Sequence, residues 1–182
     1  METKLDKKLN AEIIQNLQSA NSEVVSQSLS QISENGNSAY IPSLVDLLHS
    51  TQNHEIKKQV TNLLSELKHS DAVPLIIDAI RNKKYSSELQ FLVSACWENG
   101  LDYLEYLPLF VDLMIEQNFM VAFEAHTVIT NMTGRISREQ SETQTLKINQ
   151  ALPGVGNDKR GLLEEIVEFL PELEAGIEPQ EY

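Results

Sequence analysis

Three proline-led segments of this chain can be laid over one another. Ile41-Pro42-Ser43-Leu44-Val45-Asp46-Leu47-Leu48 matches Val73-Pro74-Leu75-Ile76-Ile77-Asp78-Ala79-Ile80, and both match Leu107-Pro108-Leu109-Phe110-Val111-Asp112-Leu113-Met114. The prolines stand 32 and then 34 positions apart, each with an apolar residue before it and an aspartate four positions after it. A fainter copy without proline lies at Ala11-Glu12-Ile13-Ile14-Gln15-Asn16-Leu17. Repetition at this period restricts a chain to arrays of small supersecondary units, because one such unit cannot bury its own apolar face.

A second series runs in step with the first: Asn21-Ser22-Glu23, Asn53-His54-Glu55, Ser86-Ser87-Glu88 and Asn118. Asn and Ser side chains accept bonds from the orphan amides of a helix start, and a glutamate in the first turn meets the positive end of the helix dipole. Apolar stripes at helical spacing follow each cap. They are Val25, Leu29 and Ile32, then Ile56, Val60, Leu63, Leu64 and Leu67. Leu89, Leu92, Val93 and Cys96 come next, then Val121, Ala125, Val128 and Met132. The proline-led runs also read as helices, since proline suits a helix start and these runs outlast a strand. Gly36, Gly100 and Gly134 stand past three of the second helices, where a left-handed cap is wanted. The chain thus reads as all-α, with four helix pairs at about 5–36, 40–69, 71–100 and 102–134.

The proline-led first helix (Pro42, Pro74, Pro108), the short polar turn and the Ile56-Lys57 pair opening a second helix resemble the HEAT-repeat family. The resemblance covers residues 5–134. It implies a right-handed α–α superhelix, a short solenoid whose second helices line a groove that binds a protein or peptide. Two family features are missing. Ser50-Thr51-Gln52 and Asn82-Lys83-Lys84 stand at the turns in place of an aspartate, and Val25, Gln90 and Ala122 occupy the basic position. The groove candidates, as polar residues of second helices, are Gln27, Lys57, Lys58, Gln90, Trp97, Glu124 and His126.

The pattern breaks after Gly134. Residues 137–152 are mostly polar and predict either a helix of low local stability or a frayed segment, with Ser137 and Gln140 as a candidate capping box. Pro153-Gly154-Val155-Gly156 predicts a loop. Leu162, Leu163, Ile166, Val167 and Leu170 predict an amphipathic helix over 158–170, ended by Pro171. Residues 135–173 are expected to form a C-terminal helical cap, or else a helix that docks on a partner, and 174–182 an acidic tail. From residue 161 onward there are seven glutamates and no Lys or Arg.

The formal net charge of −13 repels nucleic-acid phosphates and anionic lipid. The expected partner is therefore a protein or peptide, with a basic one among the candidates, and neither nucleic acid nor membrane. The competing reading is a HEAT-like protein that acts on or with nucleic acid, or an accessory subunit of an enzyme. The one cysteine, Cys96, excludes an intrachain disulfide, lies on an apolar stripe and reads as a structural thiol. Residues 1–20 lack the apolar core of a signal peptide, so a cytoplasmic location is expected. His49, His54, His69 and His126 have no metal-ligand spacing, so no metal, cofactor or catalytic constellation is expected. Asp46, Asp78 and Asp112 read as solvent-facing carboxylates near helix starts.

Overall fold

A computed structural model describes residues 9–178. The first four residues expected in the array, 5–8, and the last four of the acidic tail, 179–182, lie outside the described residues. Ten α-helices form, and among the described residues there is no strand, only an isolated bridge between Gly134 and Ile177. The chain divides into two compact units between Leu101 and Asp102. No helix among the described residues is long and apolar enough to cross a membrane.

The first unit holds three helix pairs: α1 (Ala11–Leu17) with α2 (Ser22–Asn35), α3 (Ile41–Ser50) with α4 (His54–Ser65), and α5 (Ala72–Arg81) with α6 (Leu89–Glu98). The first helices pack in one row, α1 on α3 on α5, and the second helices in another, α2 on α4 on α6. Pro42 is the second residue of α3 and Pro74 the third of α5. The first four amides of a helix have no internal acceptor, so proline removes nothing there. Val45, Leu48, Val60, Leu64, Ile76, Leu92 and Val93 are wholly buried between the rows. Each such side chain contributes about 1.5–3 kcal/mol by leaving water.

The caps follow the spacing, with one exception. Asn21 accepts from the Glu23 amide at 2.9 Å, and Asn53 accepts from the Glu55 and Ile56 amides at 2.9 and 3.3 Å. Ser86 caps nothing. Residues Lys83–Glu88 form a 3₁₀ segment whose cap is Asn82, accepting from the Lys84 amide at 3.0 Å. Tyr85 departs from helical geometry inside it, and α6 starts only at Leu89. Glu88 is therefore not a solvated first-turn glutamate but a buried one.

The second unit contains α7 (Leu107–Glu116), α8 (Phe119–Thr130), α9 (Arg138–Ala151) and α10 (Asn157–Ala175). Pro108 is the second residue of α7, and Asn118 caps α8 by accepting from the Val121 amide at 3.1 Å. Helix α10 packs on α8, α9 and α7, burying Leu163, Ile166, Leu170 and Leu173 completely. Of the two readings of 137–152, the helix is the one formed: α9 has its capping box in place, Ser137 accepting from the Gln140 amide at 3.1 Å and Gln140 accepting back at 2.9 Å. It buries Ile148 with Ser141 and Gln144, and leaves Leu146 exposed. Two other expectations are corrected. The expected loop is partly a 3₁₀ turn, Leu152–Gly154. Pro171 does not end α10. It is exposed, so the carbonyl that it deprives of a bond lies on the open side, while Leu170 and Leu173 hold the helix to the core.

Gly36 and Gly100 take left-handed φ values of 55° and 65° just past α2 and α6. Gly134 is left-handed too, at 97°, but it is not a helix cap, because α8 has already ended at Asn131. Instead it exchanges two backbone bonds with Ile177, at 2.7 and 2.9 Å. Ile136 donates to the Leu173 carbonyl at 3.1 Å and Arg135 Nε to the Glu174 carbonyl at 2.9 Å. The α8–α9 connection is thereby strapped to the end of α10. A Cβ on Gly134 would stand 3.0 Å from Leu104 Cδ2, whereas one on Gly154 would meet nothing. Gly134→Ala is expected to lower stability by about 1–2 kcal/mol and Gly154→Ala by under about 0.5 kcal/mol. Urea unfolding of the two variants side by side checks this; equal midpoints would contradict it.

Candidate functional site

The seven residues expected to line a groove sit on second helices: Gln27 on α2, Lys57 and Lys58 on α4, Gln90 and Trp97 on α6, Glu124 and His126 on α8. Gln27 and Lys58 are exposed; Lys57, Gln90, Glu124 and His126 are half-buried. Trp97 is 39% exposed beside Cys96, which is buried and donates to the Leu92 carbonyl. His126 is engaged rather than open: its Nε2 lies 3.0 Å from Glu165 Oε2 on α10.

Two features escaped the sequence reading. The first is a polar network in the first unit. Glu88 is only 5% exposed, and its Oε2 meets His49 Nδ1 at 2.9 Å and accepts from Ser87 Oγ at 2.9 Å. The His49 ring stands edge-on to Tyr85, 5.7 Å between centroids. The Tyr85 hydroxyl donates to Asp46 Oδ1 at 2.7 Å, and the Lys84 ammonium pairs with the same oxygen. Asp46 is thus not a merely solvated carboxylate. Lys84 first, and Tyr85 second, hold its pKa below the usual carboxylate value. Burial, with Asp46 beside it, pushes the Tyr85 hydroxyl up. Asp112 repeats the theme in the second unit, accepting from Lys147 at 2.7 Å. The network ties α3 to the 3₁₀ segment before α6, and Asp46, His49 and Lys84 line a cleft of about 450 Å³ with Gln18, Ser43 and Ser50. Among the described residues no group of three or more His, Cys, Asp or Glu could hold a metal ion.

The second feature is an apolar ridge. Phe119, Met120 and Phe123 open α8 with their side chains exposed, Phe123 by 45%, and the two rings are 6.2 Å apart. The buried face of the same helix is Val121, Ala122, Ala125, Val128 and Ile129. The sequence carried a signal for this: residues 119–123 are all apolar, and a helix apolar on every side has more apolar surface than one core contact uses. Three large neighbouring side chains in water are more informative than scattered single ones.

No protein-family model matches the chain, and no curated protein matches it in sequence.

The buried carboxylate supplies a test of the network. His49→Ala leaves Glu88 with Ser87 alone and is expected to cost about 1–3 kcal/mol. In a Glu88→Gln background, where no buried charge needs a partner, the same change should cost clearly less. A double-mutant cycle in urea measures this; equal costs in both backgrounds would show that the two side chains are not coupled.

Proposed function

We propose that this protein is a non-catalytic interaction module: a short HEAT-like solenoid of helix pairs that binds another protein through the outer face of a second helix, α8. The observation that carries the reading is the Phe119–Met120–Phe123 ridge, a set of large apolar side chains left in water by a helix whose opposite face already fills the core. Aromatic anchors of this kind dominate the energetics of protein interfaces, because they bury much area with few rotamers to freeze. The in-step proline and cap series support the repeat assignment.

The competing reading, a protein acting on nucleic acid, requires a cationic surface to neutralise phosphates. Beside the ridge the balance runs the other way, since Asp158, Glu164, Glu165, Glu168 and Glu172 are all exposed on α10. An enzymatic reading calls for a carboxylate or histidine tuned toward neutral pH. Asp46 is shifted in the opposite direction, below the usual carboxylate value, by Lys84 and Tyr85.

The test is affinity capture from the host's extract with the full chain and with a Phe119→Ser/Phe123→Ser variant, followed by mass spectrometry. A protein enriched by the parent and lost with the variant is expected. Identical captures, or none, would overturn the reading.

A further inference from the structure

The surface beside the aromatic ridge narrows the class of partner. Helix α10 lies along the same side of α8. Its Lys159 ammonium donates to the carbonyls of Met114, Ile115 and Gln117, at 3.1, 2.8 and 2.6 Å, just before α8 begins. Two turns further on, Glu165 meets His126. The two helices therefore run side by side in the same direction, with the first turns of α8 facing the first half of α10.

Glu165 fixes which side of α10 borders α8. Asp158 and Glu172 stand seven positions before and after it, which places all three on that side, and all three are exposed. The two cations of this helix do not offset them. Lys159 is turned inward to the three carbonyls, and Arg160 donates to the Leu152 carbonyl at 3.0 Å. Arg160 also approaches Glu164, one turn along and away from this row. The apolar ridge thus runs beside an anionic rail with no free cation of its own helix on it.

We infer that the α8–α10 face takes a basic amphipathic segment of a partner protein, its apolar side on Phe119, Met120 and Phe123 and its Lys or Arg side chains along Asp158, Glu165 and Glu172. This rests on the interaction-module reading above and names the chemistry of what that module binds. The apolar contact supplies affinity; the rail supplies orientation, speeds encounter and discriminates against acidic segments. Nucleic acid and anionic membrane do not match the rail, since both would bring phosphate to it.

The experiment uses the full chain and a fluorescein-labelled helical peptide of about 18 residues, with leucine on one face and lysine on the other. A leucine–glutamate peptide of the same pattern is the control, and fluorescence anisotropy is the readout. The leucine–lysine peptide should bind, and the control should not. Phe119→Ser/Phe123→Ser should weaken binding about tenfold or more. Glu165→Gln/Glu172→Gln keeps a hydrogen-bonding group opposite His126; it should weaken binding and reduce its loss between about 0.05 M and about 0.3 M salt. All these side chains are exposed, so the helical circular dichroism and unfolding midpoint of each variant should match the parent. Unchanged binding by the phenylalanine variant would mean attraction by bulk charge and would overturn the inference. Binding of the leucine–glutamate peptide, lost in that variant, would also overturn it while leaving the interaction-module reading standing. Failure of both peptides overturns the inference, and the capture experiment then judges the module reading alone.

Discussion

A ten-residue helix such as α3 or α5 carries about half its residues as large aliphatic side chains and has nothing of its own to cover them. That surplus of apolar surface is the constraint on which the rest of the structure depends. One hairpin partner covers only part of it. In the first unit the remainder is covered by the equivalent helix of the next pair, which is why α1, α3 and α5 form one row and α2, α4 and α6 another. In the second unit, α9 and α10 take that covering role for α7 and α8. The polar contacts then fix how the elements meet. Asp46 reaches Lys84 and Tyr85 across the row, and Asp112 reaches Lys147. Each is an aspartate of a first helix held by a lysine from an element further along the chain.

The same constraint explains what stood out in the sequence and what did not. Proline at a helix start and asparagine at a cap act within one turn, so Pro42, Pro108, Asn21, Asn53 and Asn118 were legible without any tertiary knowledge. Ser86 had the right spacing and the wrong role, because Asn82 had already claimed the turn and the chain ran on as a 3₁₀ segment. Glu88 then fell inward, where the long-range approach of His49, 39 positions away, joins the neighbouring Ser87 hydroxyl in making a buried carboxylate tolerable. Gly134 and Pro171 were misjudged for a related reason. Each was assigned a local role, but the bond to Ile177 and the burial of Leu173 are tertiary.

The candidate surface was less legible than the fold. The groove residues were chosen as polar members of second helices, whereas the feature that favours a partner is apolar. Phe119, Met120 and Phe123 lay off the expected stripe and drew no reading of their own, and it is the placement of Val121, Ala125 and Ile129 against the core that leaves them outside. His126 was on the right helix, but its bond to Glu165 makes it part of the seam between α8 and α10 rather than a contact offered outward.

The proposed binding role depends above all on α8 presenting a working face. Hydrogen exchange of the full chain, measured alone and with the protein that it captures, addresses it directly. Slowed exchange is expected over residues 119–130 and along 157–175, with the first helices unchanged. Slowing confined to 41–50 and 72–81 would place the partner on the first helices of the first unit and contradict the assignment of the binding face.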